Sequence, residues 1–343
     1  MDWKKTLHSK PIAVLGAGNF GTAIAKLIAP QVDQLFLYTN KADVALESQL
    51  NRTSAGQTLP ANVEVTHDLV SLIKYCPIIF PIIPASRFRS LMQEMAPYLT
   101  EEHLLIHGTK GLDITDCEDK PSLTRAYIAT MSEVIRHETK VNQIGCLAGP
   151  NLAHDLHKKH PAATVVASYS KQVLAIGQQL LTNSWFRAYP SSHLLSVEFC
   201  SVLKNIFAIG AGLLRGMEYG DNTYAFFLSA SLAEMHHILE TMHLHTNVLL
   251  GPAGIGDLIA TCNSSSSRNY TIGYRLAKGE LLNHILATLQ GVSEGVQTVK
   301  TIHEVMKSHH QRAPITTLIY RILFEQLSPK AGLRCLMRYP IVQ

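Results

Sequence analysis

A glycine-rich turn near the start of the chain constrains its fold more than any other feature. Residues 12–15 form an apolar run typical of a buried strand, and Gly16, Gly18 and Gly21 follow at the spacing Gly-x-Gly-x-x-Gly before a helical pattern. In such a unit the first glycine allows a tight turn, the second lets a pyrophosphate approach the backbone, and the third lets helix and strand pack closely. The sequence therefore predicts an α/β domain that binds a dinucleotide at this turn. A glycine turn without a dinucleotide is the alternative.

Alternating strand and helix patterns continue this domain. Short apolar runs alternate with helical periodicities, which is typical of βαβ units and a parallel sheet. One of these periodicities, near residues 122–137, predicts an amphipathic helix. The later predicted strands cover residues 35–39, 76–83, 104–107, 144–148, 163–167 and 186–189.

From about residue 192 the pattern changes to long helical periodicities broken by glycine and proline. We therefore predict a Rossmann-like, doubly wound α/β domain at residues 1–191 and an all-helical domain at residues 192–343. Because ligand sites favour domain junctions and the carboxyl ends of strands, we expect the active site in the cleft between the domains. The helical patterns cover residues 194–216, 222–245, 296–309 and 314–327.

Composition argues against a nucleic-acid or membrane role. The 343 residues are 46% hydrophobic, and the net charge of +4 comes from scattered basic residues that make no nucleic-acid footprint. The longest apolar stretch, residues 194–214, contains Glu198, Lys204 and Asn205. Such groups are costly in a bilayer, so we expect a buried helix and no membrane span.

Cysteine and histidine spacing predicts neither disulfides nor a metal site. The six cysteines are far apart and form no Cys-x-x-Cys pair, which is typical of free thiols in a reducing compartment. With no apolar signal segment at the N-terminus, a cytoplasmic protein is expected. His154, His157 and His160 drift around a helix and are joined by no carboxylate at ligand spacing, so no metal is expected.

A lysine interrupts the most apolar helical pattern. Lys204 is flanked by Val202, Leu203 and Ile206, so a helix here should bury its side chain. Burial lowers the pKa of a lysine and can bring its ammonium group into the range for proton transfer near neutral pH. A structural lysine that reaches solvent, or pairs with Glu198, is the alternative.

The most concentrated polar segment lies at residues 251–269. It places the carboxylate of Asp257, the guanidinium of Arg268 and the carboxamide of Asn269 among glycines and serines. Guanidinium, carboxamide and helix-start N–H groups all donate to phosphate, so the segment fits the binding of a small anion. A flexible serine linker at residues 264–267 is the alternative.

The end of the second predicted strand bears on cofactor choice. NAD-selective domains usually carry Asp or Glu about 20 residues after the glycines, bonded to the ribose 2′-hydroxyl. Here Asn40 and Lys41 follow the strand, without a carboxylate. These residues would tolerate or favour a 2′-phosphate, so NADP, or the use of both cofactors, is expected. Arg52 is another residue that could reach the 2′ position.

Several short motifs occur in a fixed order along nearly the whole chain. They are Thr109-Lys110-Gly111-Leu112, Gly149-Pro150-Asn151-Leu152-Ala153, the segment 202–212 around Lys204, Gly220-Asp221-Asn222, Leu232-Ala233-Glu234-Met235, Ala253-Gly254-Ile255-Gly256-Asp257-Leu258, Thr261-Cys262, Ser267-Arg268-Asn269, Glu294-Gly295-Val296-Gln297-Thr298 and Ala313-Pro314-Ile315. Together they resemble the bacterial-type NAD(P)-dependent glycerol-3-phosphate dehydrogenase family.

The resemblance implies a reaction and a set of site residues. The reaction is reversible hydride transfer between NAD(P)H and dihydroxyacetone phosphate, which gives sn-glycerol 3-phosphate for glycerophospholipid synthesis, with NADPH as the cofactor that the chain would favour. Lys204 matches the general acid and base. Substrate binding is implied for Lys110, Gly149, Asn151, Lys204, Asp257, Ser267, Arg268 and Asn269. Cofactor binding is implied for Gly16, Gly18, Asn19, Phe20, Gly21, Asn40, Lys110, Ala153, Arg268 and Glu294. The partner is this small substrate, and a homodimer is the expected assembly.

The residues fit this chemistry independently. Hydride reduction of a ketone builds negative charge on the carbonyl oxygen, so a cation that can give up a proton lowers the barrier. Lys204 fits that role, with Lys110 as a second cation and Asp257 to orient the lysine. Arg268 and Asn269 can donate to a phosphate.

The chain departs from the family's pattern at three positions. Ala85 stands where Ser or His is usual, Pro252 replaces an aliphatic residue, and Asn151 replaces the Ser or Thr of many bacterial members. None of these changes removes a catalytic group, so they bear on kinetic constants and cofactor preference and not on the class of reaction.

Other classes of protein share parts of this pattern. A ketopantoate reductase or an opine dehydrogenase would keep the glycine turn and the helical domain, but is not expected to carry Asp257 and Ser267-Arg268-Asn269 at this spacing. A non-catalytic dinucleotide sensor would keep the turn and lose the catalytic residues.

Overall fold

The chain folds into two compact units. One contains Met1–Thr109 and Met131–Leu194, and the other contains Lys110–Thr130 and Leu195–Gln343. The computed structural model describes residues 7–114, 123–289 and 294–337. Cys117, one of the six cysteines for which free thiols are predicted, lies outside these ranges.

This division differs from the boundary expected between residues 191 and 192 in two places, the shorter being residues 192–194, which belong to the first unit. Residues 110–130 belong to the helical unit, although sheet residues precede and follow them in sequence. Ile128 is part of the apolar core of that unit, and Leu112 and Leu123 pack against it. These apolar contacts explain why residues 110–130 belong to the helical unit and not to the first unit.

The first unit is built on one large sheet. The strands of the chain are β1 Ile12–Leu15, β2 Leu35–Tyr38, β3 Thr53–Ser54, β4 Gln57–Thr58, β5 Val63–Thr66, β6 Ile78–Pro81, β7 Leu104–His107, β8 Asp113–Ile114, β9 Ile128–Ala129, β10 Gln143–Ala148, β11 Ala162–Ser168 and β12 Phe186–Ser191. The large sheet has eight of them, in the order β12-β11-β10-β7-β6-β1-β2-β5. Pairs β3–β4 and β8–β9 are short antiparallel ladders.

The sheet is parallel over six strands and reversed at one side. From β10 to β5 every neighbouring pair is parallel. Strand β11 runs antiparallel to β10, with Gly145 opposite Ser168, and β12 is parallel to β11. The connection from β10 to β11 holds only the short helix Ala153–His157 and returns the chain in the opposite direction. The predicted parallel sheet is therefore confirmed except for these last two strands.

Helices pack on this sheet, and one of them is shorter than expected. The amphipathic helix predicted near residues 122–137 runs over Met131–Glu138. The preceding residues form a 3-10 turn, Arg125–Tyr127, and strand β9. A longer helix would lose the pairing of β9 with β8. Residue 122 lies outside the described ranges. The other helices of this unit are Asn19–Ile28, Ala42–Asn51, Leu69–Tyr75, Phe88–Met95, Ala153–His157 and Lys171–Leu181.

The second unit is helical, as predicted. Helix Leu194–Gly216, here called the Lys204 helix, is long and apolar enough to cross a membrane, but its apolar window is 100% buried in the protein. It is therefore a core helix, and the other helices pack around it. They are Asp221–Thr241, Asp257–Cys262, Arg268–Ala277, Leu282–Thr288, Glu294–Ser308, Pro314–Phe324 and Pro329–Leu336.

Two glycines bring helix Arg268–Ala277 against the Lys204 helix. A Cβ on Gly273 would lie 1.9 Å from the backbone oxygen of Ile209, and a Cβ on Gly212 would lie 2.0 Å from that of Tyr270. Only glycine allows such an approach of two backbones. The contact places residues 270–273 of helix Arg268–Ala277 beside residues 209–213 of the Lys204 helix.

Candidate active site

The glycine turn of the first unit has the geometry of a pyrophosphate cradle. Gly16 has φ +116°, and a Cβ on Gly21 would lie 1.8 Å from the Gly16 carbonyl oxygen, so both positions require glycine. Around Gly18, by contrast, nothing lies within 4 Å of where a Cβ would stand. Gly18 also caps helix Asn19–Ile28, whose first N–H groups have no intrahelical acceptors. The turn thus leaves room and hydrogen-bond donors for an anion.

Other residues predicted to bind the cofactor lie at the same edge of the sheet. Asn40 follows β2 and is exposed, and Ala153 follows β10. Strands β1, β2 and β10 have the same direction in the sheet, so their carboxyl ends share one edge. The ring of Phe20 comes within 3.0 Å of a Cβ built on Gly108, just beyond β7. The fold therefore gathers these predicted positions around the glycine turn.

Arg52 bonds to backbone carbonyl groups near its own position. Its guanidinium donates to the carbonyl oxygen of Val63 at 3.1 Å and to that of Pro60. These bonds hold the side chain against its own loop, so contact of Arg52 with a 2′-phosphate would need other donors of the guanidinium or a new side-chain conformation. Asn40 and Lys41, both exposed, remain the residues after β2 that can discriminate.

The loop after β10 holds a buried carboxamide. Gly149 has φ +152°, and the side-chain nitrogen of Asn151 donates to the hydroxyl of Thr164 at 2.8 Å. Asn151 is 6% exposed, and its Oδ1 has no hydrogen-bond partner among the residues that the structure describes. A buried acceptor of this kind is costly unless a ligand supplies the donor.

Lys204 lies in the core of the second unit. It is 3% exposed, and its Nζ donates to Asp257 Oδ1 and, at 2.9 Å, to Thr261 Oγ1. Asp257 opens helix Asp257–Cys262, and Thr261 is four residues on, so both side chains lie on one helix face. Lys204 therefore forms its ion pair with Asp257, and not with Glu198 as in the alternative from the sequence.

A second ammonium group adjoins the same carboxylate. Lys110 Nζ lies 3.8 Å from Asp257 Oδ2, with a side chain 22% exposed against 4% for Lys204. Burial lowers the pKa of Lys204 from 10.5 to about 7; the Asp257 carboxylate raises the pKa, and Lys110 lowers it. Lys204 can therefore release or take up a proton near neutral pH.

A π-helical turn, Pro252–Gly256, leads directly into Asp257. Such turns are rare and occur mostly at functional sites. Pro252 stands at the first position of the turn, where the missing proline N–H has no partner to lose. The departure at Pro252 thus fits the local geometry that places the carboxylate.

The start of helix Arg268–Ala277 forms the predicted anion segment. Ser267 caps the helix, with its hydroxyl accepting from Tyr270 N–H at 3.3 Å. Asn269 is buried, and its Oδ1 accepts from Gly295 N–H at 3.2 Å. Arg268, at the first helical position, is exposed. Arg268 and the helix start are thus the groups here that face outward, whereas Ser267 and Asn269 also make structural bonds.

Gly295 joins this segment to the Lys204 helix. A Cβ on Gly295 would lie 2.3 Å from Asn269 Oδ1 and 3.1 Å from the backbone oxygen of Asn205, the residue after Lys204. Glu294, predicted to contact the cofactor, precedes Gly295 at the start of helix Glu294–Ser308. The second unit therefore assembles Lys110, Lys204, Asp257, Arg268, Asn269 and Glu294 in one region.

Two contributors to this region were missed as site residues. Thr261 bonds to both Lys204 and Asp257, and its helical spacing from Asp257 was the available signal. Gly295 lies in one of the motifs that carry the resemblance, but its contacts come from distant segments that the sequence does not place beside it. Among the described residues no group of three or more His, Cys, Asp or Glu side chains could hold a metal.

Both units match one family of known proteins. Residues 11–174 match the family described as NAD-dependent glycerol-3-phosphate dehydrogenase N-terminus, and residues 193–334 match the corresponding C-terminus. Glycerol-3-phosphate dehydrogenase (NAD(P)+) of Teredinibacter turnerae is 34% identical over 322 residues, which cover 93% of this chain and 92% of that protein. The chain belongs to the NAD-dependent glycerol-3-phosphate dehydrogenase family.

Solved structures agree with this family. The crystal structure of glycerol-3-phosphate dehydrogenase from Coxiella burnetii matches with a TM-score of 0.86 at 28% identity, over 97% of this chain and 100% of that one. A ketopantoate reductase from Ralstonia eutropha has a TM-score of 0.56 at 12% identity, over 94% and 99%, a similarity of fold alone. The predicted family, fold class, enzyme and NAD(P) cofactor are therefore confirmed.

Proposed function

We propose that this chain catalyses reversible hydride transfer between NAD(P)H and dihydroxyacetone phosphate, giving sn-glycerol 3-phosphate. The observation that carries the proposal is the buried ammonium of Lys204, held by Asp257 and Thr261 beside the start of helix Arg268–Ala277. A proton donor of lowered pKa next to a phosphate-binding helix start suits a ketone that carries a phosphate. The family membership supports the same reaction.

When bound, the reduced nicotinamide would supply the hydride for the carbonyl carbon, and Gly16, Gly18 and Gly21 of the glycine turn would hold the pyrophosphate of the cofactor. As negative charge develops on the carbonyl oxygen, Lys204 gives it a proton, and its Nζ–H bond breaks as the new O–H bond forms. Asp257 and Thr261 fix the ammonium in place beforehand, so little reorganisation is needed during the reaction. In oxidation of the alcohol, neutral Lys204 takes the hydroxyl proton instead.

Positively charged side chains are the proposed partners of the substrate phosphate and carbonyl oxygen. Arg268, with the N–H groups at the helix start, suits the phosphate, and Asn269 keeps that start in position through Gly295. Lys110 adds positive charge beside the developing oxyanion. Gly149, Asn151 and Ser267 are further substrate-binding residues in the proposal, and the buried Oδ1 of Asn151 can accept a hydrogen bond from a substrate hydroxyl.

The cofactor positions in the proposal are Gly16, Gly18, Asn19, Phe20, Gly21, Asn40, Lys110, Ala153, Arg268 and Glu294. Asn40 and Lys41 carry no negative charge that would repel a 2′-phosphate, so both NADH and NADPH should be used, with NADPH favoured. We also propose a homodimer, and the cytoplasm as compartment, since the cysteines among the described residues are all free thiols.

The test compares two ketones. Oxidation of NADPH and of NADH is followed at 340 nm with dihydroxyacetone phosphate and with unphosphorylated dihydroxyacetone, a wavelength that reports the reduced nicotinamide and not the protein. Arg268→Met should lose most of kcat/KM for the phosphorylated ketone, because the phosphate loses its guanidinium partner. Equal rates with both ketones in the unaltered protein would contradict the phosphate site, and no oxidation with either would contradict the reaction.

A further inference from the structure

A short hairpin lies against the glycine turn of the first unit. Strands β3 and β4 form it, and its two turn residues, Ala55 and Gly56, have φ +48° and +72°. Such left-handed conformations at both central positions give a tight two-residue turn. Arg52, which precedes β3, donates to the carbonyl groups of Pro60 and Val63. These bonds fix the base of the hairpin beside strand β5.

Ser54, at the end of β3, connects the hairpin to the glycine turn. It is 4% exposed, and its hydroxyl donates to the carbonyl oxygen of Ala17 at 3.3 Å. The Thr22 hydroxyl lies 2.8 Å from Ser54 Oγ. Because a hydroxyl has a single proton, the bond from Ser54 to Ala17 leaves Thr22 as the donor to Ser54. The Ser54 hydroxyl therefore bonds both to the turn and to the helix that follows it.

The bond to Ala17 fixes the direction of a neighbouring N–H group. The Ala17 carbonyl and the Gly18 N–H belong to one planar trans peptide, so they point in opposite directions. Among the described residues, nothing lies within 4 Å of where a Cβ of Gly18 would stand, so packing on that side does not hold the peptide. An oxygen bonded on the hairpin side aims the Gly18 N–H away from the hairpin. In dinucleotide-binding turns the backbone at this second glycine is the part that the pyrophosphate approaches.

We propose that Ser54 is a positioning residue for the cofactor, which holds the Gly18 N–H in the direction in which it donates to the pyrophosphate. Alignment of this donor before binding lowers the cost of ordering the turn when the cofactor binds. Since NADH and NADPH have the same pyrophosphate, Ser54 contributes equally to the binding of both, unlike Asn40 at the ribose. The proposal rests on the proposed function, because it takes the glycine turn as the site of the pyrophosphate.

Ser54→Ala tests this role by binding, without turnover. The Kd values of NADPH, NADH and ADP-ribose, measured by isothermal titration calorimetry, should each rise by about three- to tenfold, the effect of one lost hydrogen bond. Adenosine 2′-monophosphate, which lacks the pyrophosphate, should compete with NADPH equally well in both proteins. In turnover, KM for NADPH should rise, whereas kcat at saturating NADPH should not change, because Ser54 acts on binding of the pyrophosphate and not on the reacting carbon.

Ser48→Ala is the matched control. Ser48 is a buried serine of helix Ala42–Asn51 in the same unit, so its replacement removes a buried hydroxyl of the same kind, and every Kd should stay unchanged. Thr22→Val tests the order of the two hydrogen bonds, because valine keeps the shape of threonine but cannot donate to Ser54. The bond from Ser54 to Ala17 remains in this variant, so NADPH binding should weaken by less than in Ser54→Ala.

The possible outcomes separate this role from others. Equal Kd values of NADPH for the unaltered protein and Ser54→Ala would overturn the proposal. An unequal loss for NADPH and NADH would place the effect at the ribose, and weaker binding of adenosine 2′-monophosphate in the same proportion would show a general disturbance of the site; either result would overturn it as well. None of these results touches the reaction itself, which fails only if the unaltered protein does not oxidise NAD(P)H with dihydroxyacetone phosphate.

Discussion

Replacing Lys204 by alanine should abolish most catalysis and also destabilise the second unit. A positioned general acid contributes about 10²–10⁴-fold to a rate, which is about 3–5 kcal/mol of activation free energy. Lys110 lies across the Asp257 carboxylate and cannot replace the Nζ that Asp257 and Thr261 hold in place. We therefore expect kcat to fall by about 10³-fold, the middle of that range.

The stability change follows from the charge that remains. Without Lys204, the described residues leave the buried carboxylate of Asp257 with the Thr261 hydroxyl at 3.3 Å and Lys110 Nζ at 3.8 Å. Removing one partner of a buried ion pair typically costs about 3–5 kcal/mol, and Lys110 should hold the loss near 3 kcal/mol. Adding Asp257→Asn removes the stranded charge, so the double variant should recover much of the free energy of unfolding while staying inactive.

Three measurements check this reasoning. Urea denaturation gives the free energies of unfolding, stopped-flow NADPH oxidation gives kcat, and NADPH fluorescence titration gives the cofactor Kd. The Kd should not change, because Lys204 acts on the substrate oxygen. Lys204→Met, which fills more of the vacated volume, is the control for a cavity. Activity of Lys204→Ala within a few-fold of the unaltered protein, or a double variant less stable than the single one, would refute the assignment of proton and ion pair.

Asn40→Asp should lower the ratio of kcat/KM for NADPH to that for NADH by a factor that corresponds to about 1–3 kcal/mol. Arg52→Lys should leave that ratio unchanged, because its guanidinium bonds to its own loop. The reverse pattern would place the 2′ contact at Arg52. Because burial lowers the pKa of Lys204 to about 7, kcat/KM for ketone reduction should fall as pH rises through 7, and that for alcohol oxidation should rise; flat profiles would contradict this role. Burial raises the pKa of Glu234 from 4.5 to about 7. Between these pH values the folded state keeps a proton that the unfolded state has lost. The free energy of unfolding should therefore fall by about 3 kcal/mol between pH 4.5 and pH 7. Glu234→Gln should reduce this slope in denaturation curves, and an unchanged slope would show that other groups cause it.

Local patterns predicted the glycine turn and the long helices because their causes are local. The spacing of Gly16 and Gly21 reflects contacts within one turn, where a Cβ on Gly21 would meet the Gly16 carbonyl. The burial of Lys204 follows from apolar residues on its own helix. The lowered pKa of Lys204 could be predicted as well, because its largest cause is this burial.

Features that depend on distant contacts could not be predicted from the sequence. Arg52 bonds to carbonyl groups that a reading of the strand pattern does not place beside it. The bond from Lys204 to Thr261 joins two helices, and the assignment of residues 110–130 to the helical unit depends on apolar contacts far along the chain. The reversal of β11 is likewise decided by its pairing with β10 and not by its composition.

Transfer of deuterium from cofactor to product reports whether the chain catalyses the proposed hydride transfer. The protein is incubated with dihydroxyacetone phosphate and NADPH that carries deuterium at both hydrogens of C4 of the nicotinamide, and the product is examined by mass spectrometry and by a stereospecific assay for sn-glycerol 3-phosphate. Hydride transfer from the bound cofactor, with Lys204 supplying the hydroxyl proton from solvent, predicts one deuterium at C2 of sn-glycerol 3-phosphate and none at the hydroxyl. Formation of no glycerol phosphate, or a product without deuterium at C2, would contradict the proposed reaction.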